Sequence, residues 1–226
     1  MIKIEKLSKS YGRKKILNEI DLELIDGKIY GFVGRNGAGK TTFFNCLSGF
    51  CSYQGKVKSD YEVLKNHIGF LPTIPYILPK ITGWEYLKLL VDARGIKEEE
   101  FERRNIFDLP LDQYVETYST GMVKKLALMG ILLQKNEIYI LDEPFNGVDI
   151  HSNMLILELI YKLKELGKTV LISSHIFATL SECCDEIRLL ENGRFGEAVG
   201  KDDFSLLENE MKDYSIGNKI EQLLSK

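Results

Sequence analysis

The chain lacks a membrane span: none of its 226 residues belongs to an uninterrupted apolar run of about eighteen, the length at which a bilayer-crossing helix becomes a candidate. It opens on MIKIEKL with no apolar leader, from which a chain that stays in the cytosol is expected. It is poor in cysteine. Cys46, Cys51, Cys183 and Cys184 form no C-x-x-C pair, which excludes the common thiolate metal sites and leaves reduced thiols as the expectation. It also lacks a surplus of either charge: 30 basic against 33 acidic residues leave −3, so bulk electrostatics gives no reason to expect a nucleic-acid partner. Internal repeats and low-complexity segments are missing too. What remains is an ordinary hydrophobic fraction, 44%, in a length that suits one large domain or a domain with a small lobe.

The apolar residues fall into two periodicities. MIKIEKLSKSY and ILNEIDLEL alternate as half-buried strands do, and Asp26-Gly27 then reads as a hairpin turn. KIYGFV is a short β-rich run leading into a glycine-rich loop, and KTTFFNCLSGF after it has helical spacing that stops at Gly49. WEYLKLLVDARGIKEEEFERRNIFDL reads as helix broken near Gly95, with KEEEFERR as a solvated helix face. EIYILDEP and KTVLISSH are buried strands that end in polar groups. MLILELIYKLKELG between them is an amphipathic helix closed by Gly167, and EIRLLENGRF is a strand pair around Asn192-Gly193. Strands this apolar, alternating with helices, predict an α/β fold: a mostly parallel sheet flanked by helices, with an inserted helical lobe over roughly 74–118. Phe204, Leu207 and Met211 predict a helix in the tail, packed on the body.

VGRNGAGKTT, from Val33 to Thr42, contains the pattern G-x-x-x-x-G-K-[ST] between a strand and a helix. Glycines let backbone N–H groups approach phosphate oxygens, and the following helix adds the positive end of its dipole. Lys40 supplies a charge for the β- and γ-phosphates, and Thr41 a hydroxyl for Mg²⁺. A nucleoside triphosphate is therefore expected there. Asp142 and Glu143 end the strand IYILD, at the edge where parallel sheets present ligands; Asp142 there can reach the metal and Glu143 can polarise water. Ser174 and His175 end the next strand on the same edge, whereas His67 and His151 have no such placement. YSTGMVKKLALMGILL opens another helix. Ser119 there is a good N-cap, and a serine and a glycine at a helix start also make an anion site. Within one monomer a second anion site would be surplus.

In their order along the chain, these motifs resemble those of the ATP-binding subunits of ABC transporters, over essentially the whole length from Met1 to about Gly200. The resemblance implies a P-loop NTPase fold with an N-terminal antiparallel β subdomain. It divides the chain into a core lobe of 1–73 and 119–200, a helical lobe of 74–118 and a C-terminal helical tail of 201–226. Tyr11 in LSKSYG matches the aromatic residue that stacks on adenine. Gly34, Arg35, Asn36, Gly37, Ala38, Gly39, Lys40, Thr41 and Thr42 would hold the phosphates as the Walker A loop. IYILDE matches the Walker B strand, with Asp142 and Thr41 at Mg²⁺ and Glu143 as catalytic carboxylate; His175 matches the switch histidine. NGVD, ending at Asp149, matches the D-loop. YSTGM matches the signature motif, so that Ser119, Gly121 and Met122 would serve the γ-phosphate held by a second nucleotide-binding subunit, in a head-to-tail dimer that is expected to be homomeric. That role accounts for the surplus helix start.

Two departures from the family stand out. Thr73 occupies the place of the usual glutamine, with a shorter hydroxyl that would reach the metal or its water through a bridging water. The signature reads Tyr-Ser-Thr-Gly-Met, a form resembling the branch that pairs with separate ABC-2-type membrane proteins, often exporters, although the helical lobe is shorter than usual there. The implied function is ATP hydrolysis coupled to transport through a transmembrane permease subunit, at the inner face of the cell membrane. A soluble ABC-type ATPase acting on ribosomes or DNA would instead carry two ATPase domains or long inserted arms. A small-molecule kinase would leave the signature helix unexplained.

Overall fold

The structure is a computed structural model and describes residues 1–97 and 100–209. β1 (Ile2–Tyr11) and β2 (Lys14–Leu24) form a hairpin through Gly12-Arg13. β3 (Ile29–Val33) leads through the glycine loop to α1 (Lys40–Leu47), then β4 (Gln54–Ser59), β5 (Ile68–Leu71) and α2 (Gly83–Asp92). α3 (Thr120–Leu133), β6 (Ile138–Asp142), α4 (Ile150–Glu165), β7 (Thr169–Ser173) and α5 (Phe177–Cys183) follow. β8 (Glu186–Glu191), β9 (Arg194–Phe195) and β10 (Val199–Gly200) complete the strands.

Two sheets result. One is antiparallel, in the order β2-β1-β4; the other runs β10-β8-β3-β7-β6-β5, with β9 hydrogen-bonded to β8. In the second sheet β5, β6, β7, β3 and β8 are parallel neighbours. β3, β6 and β7 are buried at every position, because helices or the other sheet cover both faces. One core cluster joins the parallel sheet to α3, α4 and α5. The other fills the space between the two sheets and α1, where the rings of Phe32, Phe43 and Phe44 meet at centroid distances of 5.4 to 5.9 Å. The carboxyl ends of β3, β5, β6 and β7 share one edge, and the candidate site lies there. The four cysteines are free.

Two local expectations do not hold. Asp26-Gly27 is a turn, with Gly27 at φ 77°, but it makes no hairpin: β2 stays in the antiparallel sheet and β3 crosses to the other, between β7 and β8. The segment after Gly95 is not helical among the described residues; it runs as turns to Leu109, and Glu98 and Glu99 of the charge run lie outside the described residues. Phe101 is fully buried edge-on to Trp84, at 5.6 Å between centroids. Asn105 satisfies the Leu109 backbone with its side chain, Nδ2 donating to the carbonyl at 2.7 Å and Oδ1 accepting from the N–H at 3.0 Å. A side chain that supplies backbone hydrogen bonds removes the helix's advantage. In the tail, residues 204–209 are helical with Phe204 and Leu207 buried, while Met211 lies outside the described residues.

The β8–β9 turn is a close backbone approach. Asn192 (φ 48°) and Gly193 (φ 76°) both take the left-handed conformation that two-residue hairpins favour. The Asn18 N–H donates to the Gly193 carbonyl at 2.8 Å, and a Cβ on Gly193 would stand 2.6 Å from the Ile16 carbonyl oxygen. Gly193→Ala is expected to cost more than about 1 kcal/mol, beyond what the exchange does in unstrained backbone. A lowered urea midpoint at unchanged slope is the readout.

Candidate nucleotide site

The glycine loop leaves β3 at Val33 and closes a turn in which the Ala38 N–H donates to the Arg35 carbonyl at 3.0 Å. Gly39 caps α1 at φ 117°, and a Cβ there would come within 3.1 Å of the Ile16 and Leu17 side chains. No side chain caps α1, whereas Thr82, Ser119 and Asp149 cap α2, α3 and α4. The first N–H groups of α1 thus keep their capacity for an anion.

Lys40 opens α1 and is only 7% exposed. Its Nζ donates to the Gly34 carbonyl at 2.7 Å and lies 3.8 Å from Glu143 Oε1. Burial pushes its pKa down, against the opposing pull of Glu143 and Asp142. This is a desolvated cation held by weak partners, ready to exchange them for phosphate oxygens.

Asp142 ends β6, fully buried, opposite Ser173 at the end of β7. Thr41 and Thr73 hydroxyls each donate to its Oδ2 at 2.6 Å, and the Ser173 hydroxyl donates to Oδ1. The result is a buried carboxylate surrounded by hydroxyls: an all-oxygen donor set that fits Mg²⁺ shared with phosphates.

Glu143, next in the chain, has φ 52°, in the left-handed region that is uncommon for a residue with a side chain. Its N–H donates to the Ser173 carbonyl at 3.2 Å and hydroxyl at 3.1 Å. Its Oε2 lies 2.9 Å from His175 Nδ1 and accepts from the His175 N–H and from Asn146 Nδ2, both at 3.3 Å. A nearly buried carboxylate paired to a half-exposed imidazole, across from a lysine in a phosphate-type loop, is an arrangement that can orient a water for attack on phosphorus.

These groups line one cavity of about 400 Å³. Of the residues anticipated from sequence, Tyr11, Asn36, Gly37, Gly39, Lys40, Thr41, Thr42, Asp142, Glu143 and His175 surround it. Arg35 and Ala38 line a neighbouring hollow with Asn36, Gly37 and Asn192, while Gly34 contributes its carbonyl to Lys40. Ser119, Gly121 and Met122 do not line the cavity; they form the start of α3, where Ser119 Oγ accepts from the Met122 N–H at 3.2 Å. Sequence reasoning missed Ile16, the Ser173 hydroxyl and Lys124, and gave Asn146 only as the first residue of the D-loop run NGVD. Among the first three only Lys124 left a signal: it falls on the buried stripe of α3 with Leu128 and Ile131, where an apolar residue would be ordinary.

Fold and site together define a phosphate-loop α/β nucleotide-binding protein. Comparison with known proteins narrows the class: the family model described as ABC transporter matches residues 17–146. An uncharacterized ABC transporter ATP-binding protein of Methanocaldococcus jannaschii is 33% identical over 85% of this chain and 75% of its own length. The lantibiotic transport ATP-binding protein SrtF of Streptococcus pyogenes is 30% identical over 86% of this chain and 88% of its own. A solved ATP-binding subunit of an ABC transporter superimposes with a TM-score of 0.81 at 28% identity, over 92% of this chain and 93% of that one. The chain belongs to the ABC transporter family and carries its ATPase domain.

Proposed function

We propose that the chain is the ATP-hydrolysing subunit of an export complex, acting as a head-to-tail homodimer on a separate transmembrane permease at the inner face of the membrane. One observation carries the hydrolytic part: Glu143, held by His175, faces Lys40 across the loop cavity. Tyr11, 53% exposed at the mouth, offers a ring for adenine. Lys40, the loop amides and the first turn of α1 bind and orient the triphosphate. Glu143 orients the water, and His175 keeps the carboxylate in place. Thr41 and Asp142 would hold Mg²⁺, with Thr73 beside them, and the ion when bound would neutralise charge between the β- and γ-phosphates.

The dimer reading is supported by the signature residues, which have no part in their own chain's cavity. It is tested by mixing two inactive variants. Ser119→Asp keeps a good N-cap but sets a carboxylate where the partner's γ-phosphate would lie. Gly121 is less suitable, because a Cβ there would overlap the Gly147 carbonyl oxygen at 2.6 Å. Mixed with Lys40→Ala, Ser119→Asp gives heterodimers with one wholly native site and one site bearing both lesions. Recovery of phosphate release is expected; silence of the mixture, with heterodimers shown by mass, contradicts independent sites formed in trans.

The permease reading draws on the family and on a run of apolar side chains between Pro72 and Pro79. Ile74 and Tyr76 are 84% and 82% exposed, Leu78 is exposed beside them, and Phe50 is exposed against Phe70. We assign this run, where the helical lobe of 74–118 leaves the core lobe of 1–73 and 119–200, as the permease-facing surface. The expected result for Tyr76→Glu is unchanged hydrolysis by the isolated subunit, with loss of co-purification with its transmembrane partner. Retained co-purification would move the contact elsewhere. Among the described residues no helix is long and apolar enough to cross a membrane. The export reading is supported by the Tyr-Ser-Thr-Gly-Met signature, whose form resembles the branch that is often exporters.

A further inference from the structure

Lys124 is a lysine in the wrong place for a solvated charge. It stands in the second turn of α3 and is 5% exposed. A buried ammonium group requires partners, and it has two: Nζ donates to the Glu143 carbonyl at 2.9 Å and to the Asn146 carbonyl at 2.8 Å. Burial pushes its pKa down, while Glu143 and Asp142 pull it up.

The two carbonyls belong to the short loop after β6 that bears the catalytic carboxylate. Glu143 enters that loop in the left-handed conformation, and the Asn146 N–H closes a turn on the Glu143 carbonyl at 3.2 Å. Such a backbone persists only where its surroundings over-determine it. Ser173 fixes the Glu143 N–H and Lys124 fixes its carbonyl, so the peptide groups on both sides of the residue are tied to different elements, β7 and α3. Two further contacts bind α3 to the same region. Lys125 Nζ lies 3.3 Å from Asp149 Oδ2 and 3.2 Å from Ser152 Oγ, and Gly121 packs against the Gly147 carbonyl with no room for a Cβ.

We propose that Lys124 is a positioning residue for Glu143: by clamping the two loop carbonyls it sets the left-handed backbone that keeps the Glu143 carboxylate against His175 and opposite Lys40. The clamp rests on the reading of Glu143 as the catalytic carboxylate and not on the dimer.

The test is a double-mutant cycle in kcat with nucleotide affinity measured alongside. Lys124→Met keeps the length and the burial but removes the charge and the donors. Its kcat is expected to fall at least about tenfold, within the hundredfold that a misplacement of about 1 Å can cost, with MgATP affinity within about twofold of wild type. Lys124→Arg, which keeps charge and donors, is expected to restore most of the loss. In a Glu143→Gln background, Lys124→Met is expected to cause little further loss, because the lysine acts through the carboxylate. A general structural role would lower both backgrounds by the same factor, and that additivity overturns the proposal, as does a kcat within about twofold of wild type. Should Lys124→Met fail to fold by urea denaturation, Lys124→Gln enters the same cycle with the same criteria. Failure of the ATPase reading is separable, since it shows as a wild-type chain that releases no phosphate or as a Glu143→Gln chain as active as wild type.

Discussion

Lys40→Ala is expected to reduce hydrolysis to background and to weaken MgATP binding by about a hundredfold or more. Lys40 is buried, and its Nζ has a carbonyl at 2.7 Å and the Glu143 carboxylate at 3.8 Å. Two charges about 4 Å apart interact by about 4 kcal/mol at an effective dielectric of about 20, and a bound γ-phosphate would be the closer and more highly charged partner. Without the cation, the phosphates would meet Asp142 and Glu143 with only the loop amides and the metal to offset the repulsion. Titration calorimetry with MgATP and a phosphate-release assay check both halves. Wild-type turnover in this variant would remove the loop from the chemistry.

Glu143→Gln is expected to bind MgATP as wild type does and to turn over at least about a hundredfold more slowly, the scale of losing a general base or water-orienting group. The backbone of Glu143 is held independently of its side chain, by Ser173 on one side and Lys124 on the other. The amide therefore enters the same place: it can still accept from the His175 N–H and Asn146, but it carries no charge and has little basicity. Folding and nucleotide binding are spared while water activation is lost. Single-turnover hydrolysis separates the two, and a rate within about tenfold of wild type would assign the water to another group.

Much of this site can be read in the sequence because its signals are local. The glycine loop announces itself between a β-rich run and an apolar helix, and β3, β6 and β7 stand out as apolar runs buried throughout. What the sequence conceals depends on distant partners. Asp26-Gly27 signals a turn truly, but whether β2 and β3 then pair is decided by β7 and β8, more than a hundred residues later. The charged run after Gly95 looks helical because Glu and Arg favour helices, yet Phe101 turns inward onto Trp84 and Asn105 supplies backbone bonds of its own. Thr73 looks too short for the glutamine's place, and the structure seats it directly on Asp142 at 2.6 Å. Lys124 falls on the buried stripe of α3, but its two carbonyl partners lie in the loop after β6, out of reach of any local signal.

The central claim is that two chains enclose two nucleotides, each between the glycine loop of one chain and the α3 start of the other. Native mass spectrometry of Glu143→Gln in excess MgATP tests it most directly, because slow turnover preserves the loaded state. The account predicts a dimer carrying two ATP molecules that dissociates to monomers when nucleotide is removed. A monomer carrying one ATP, under conditions where the site is saturated, would contradict it.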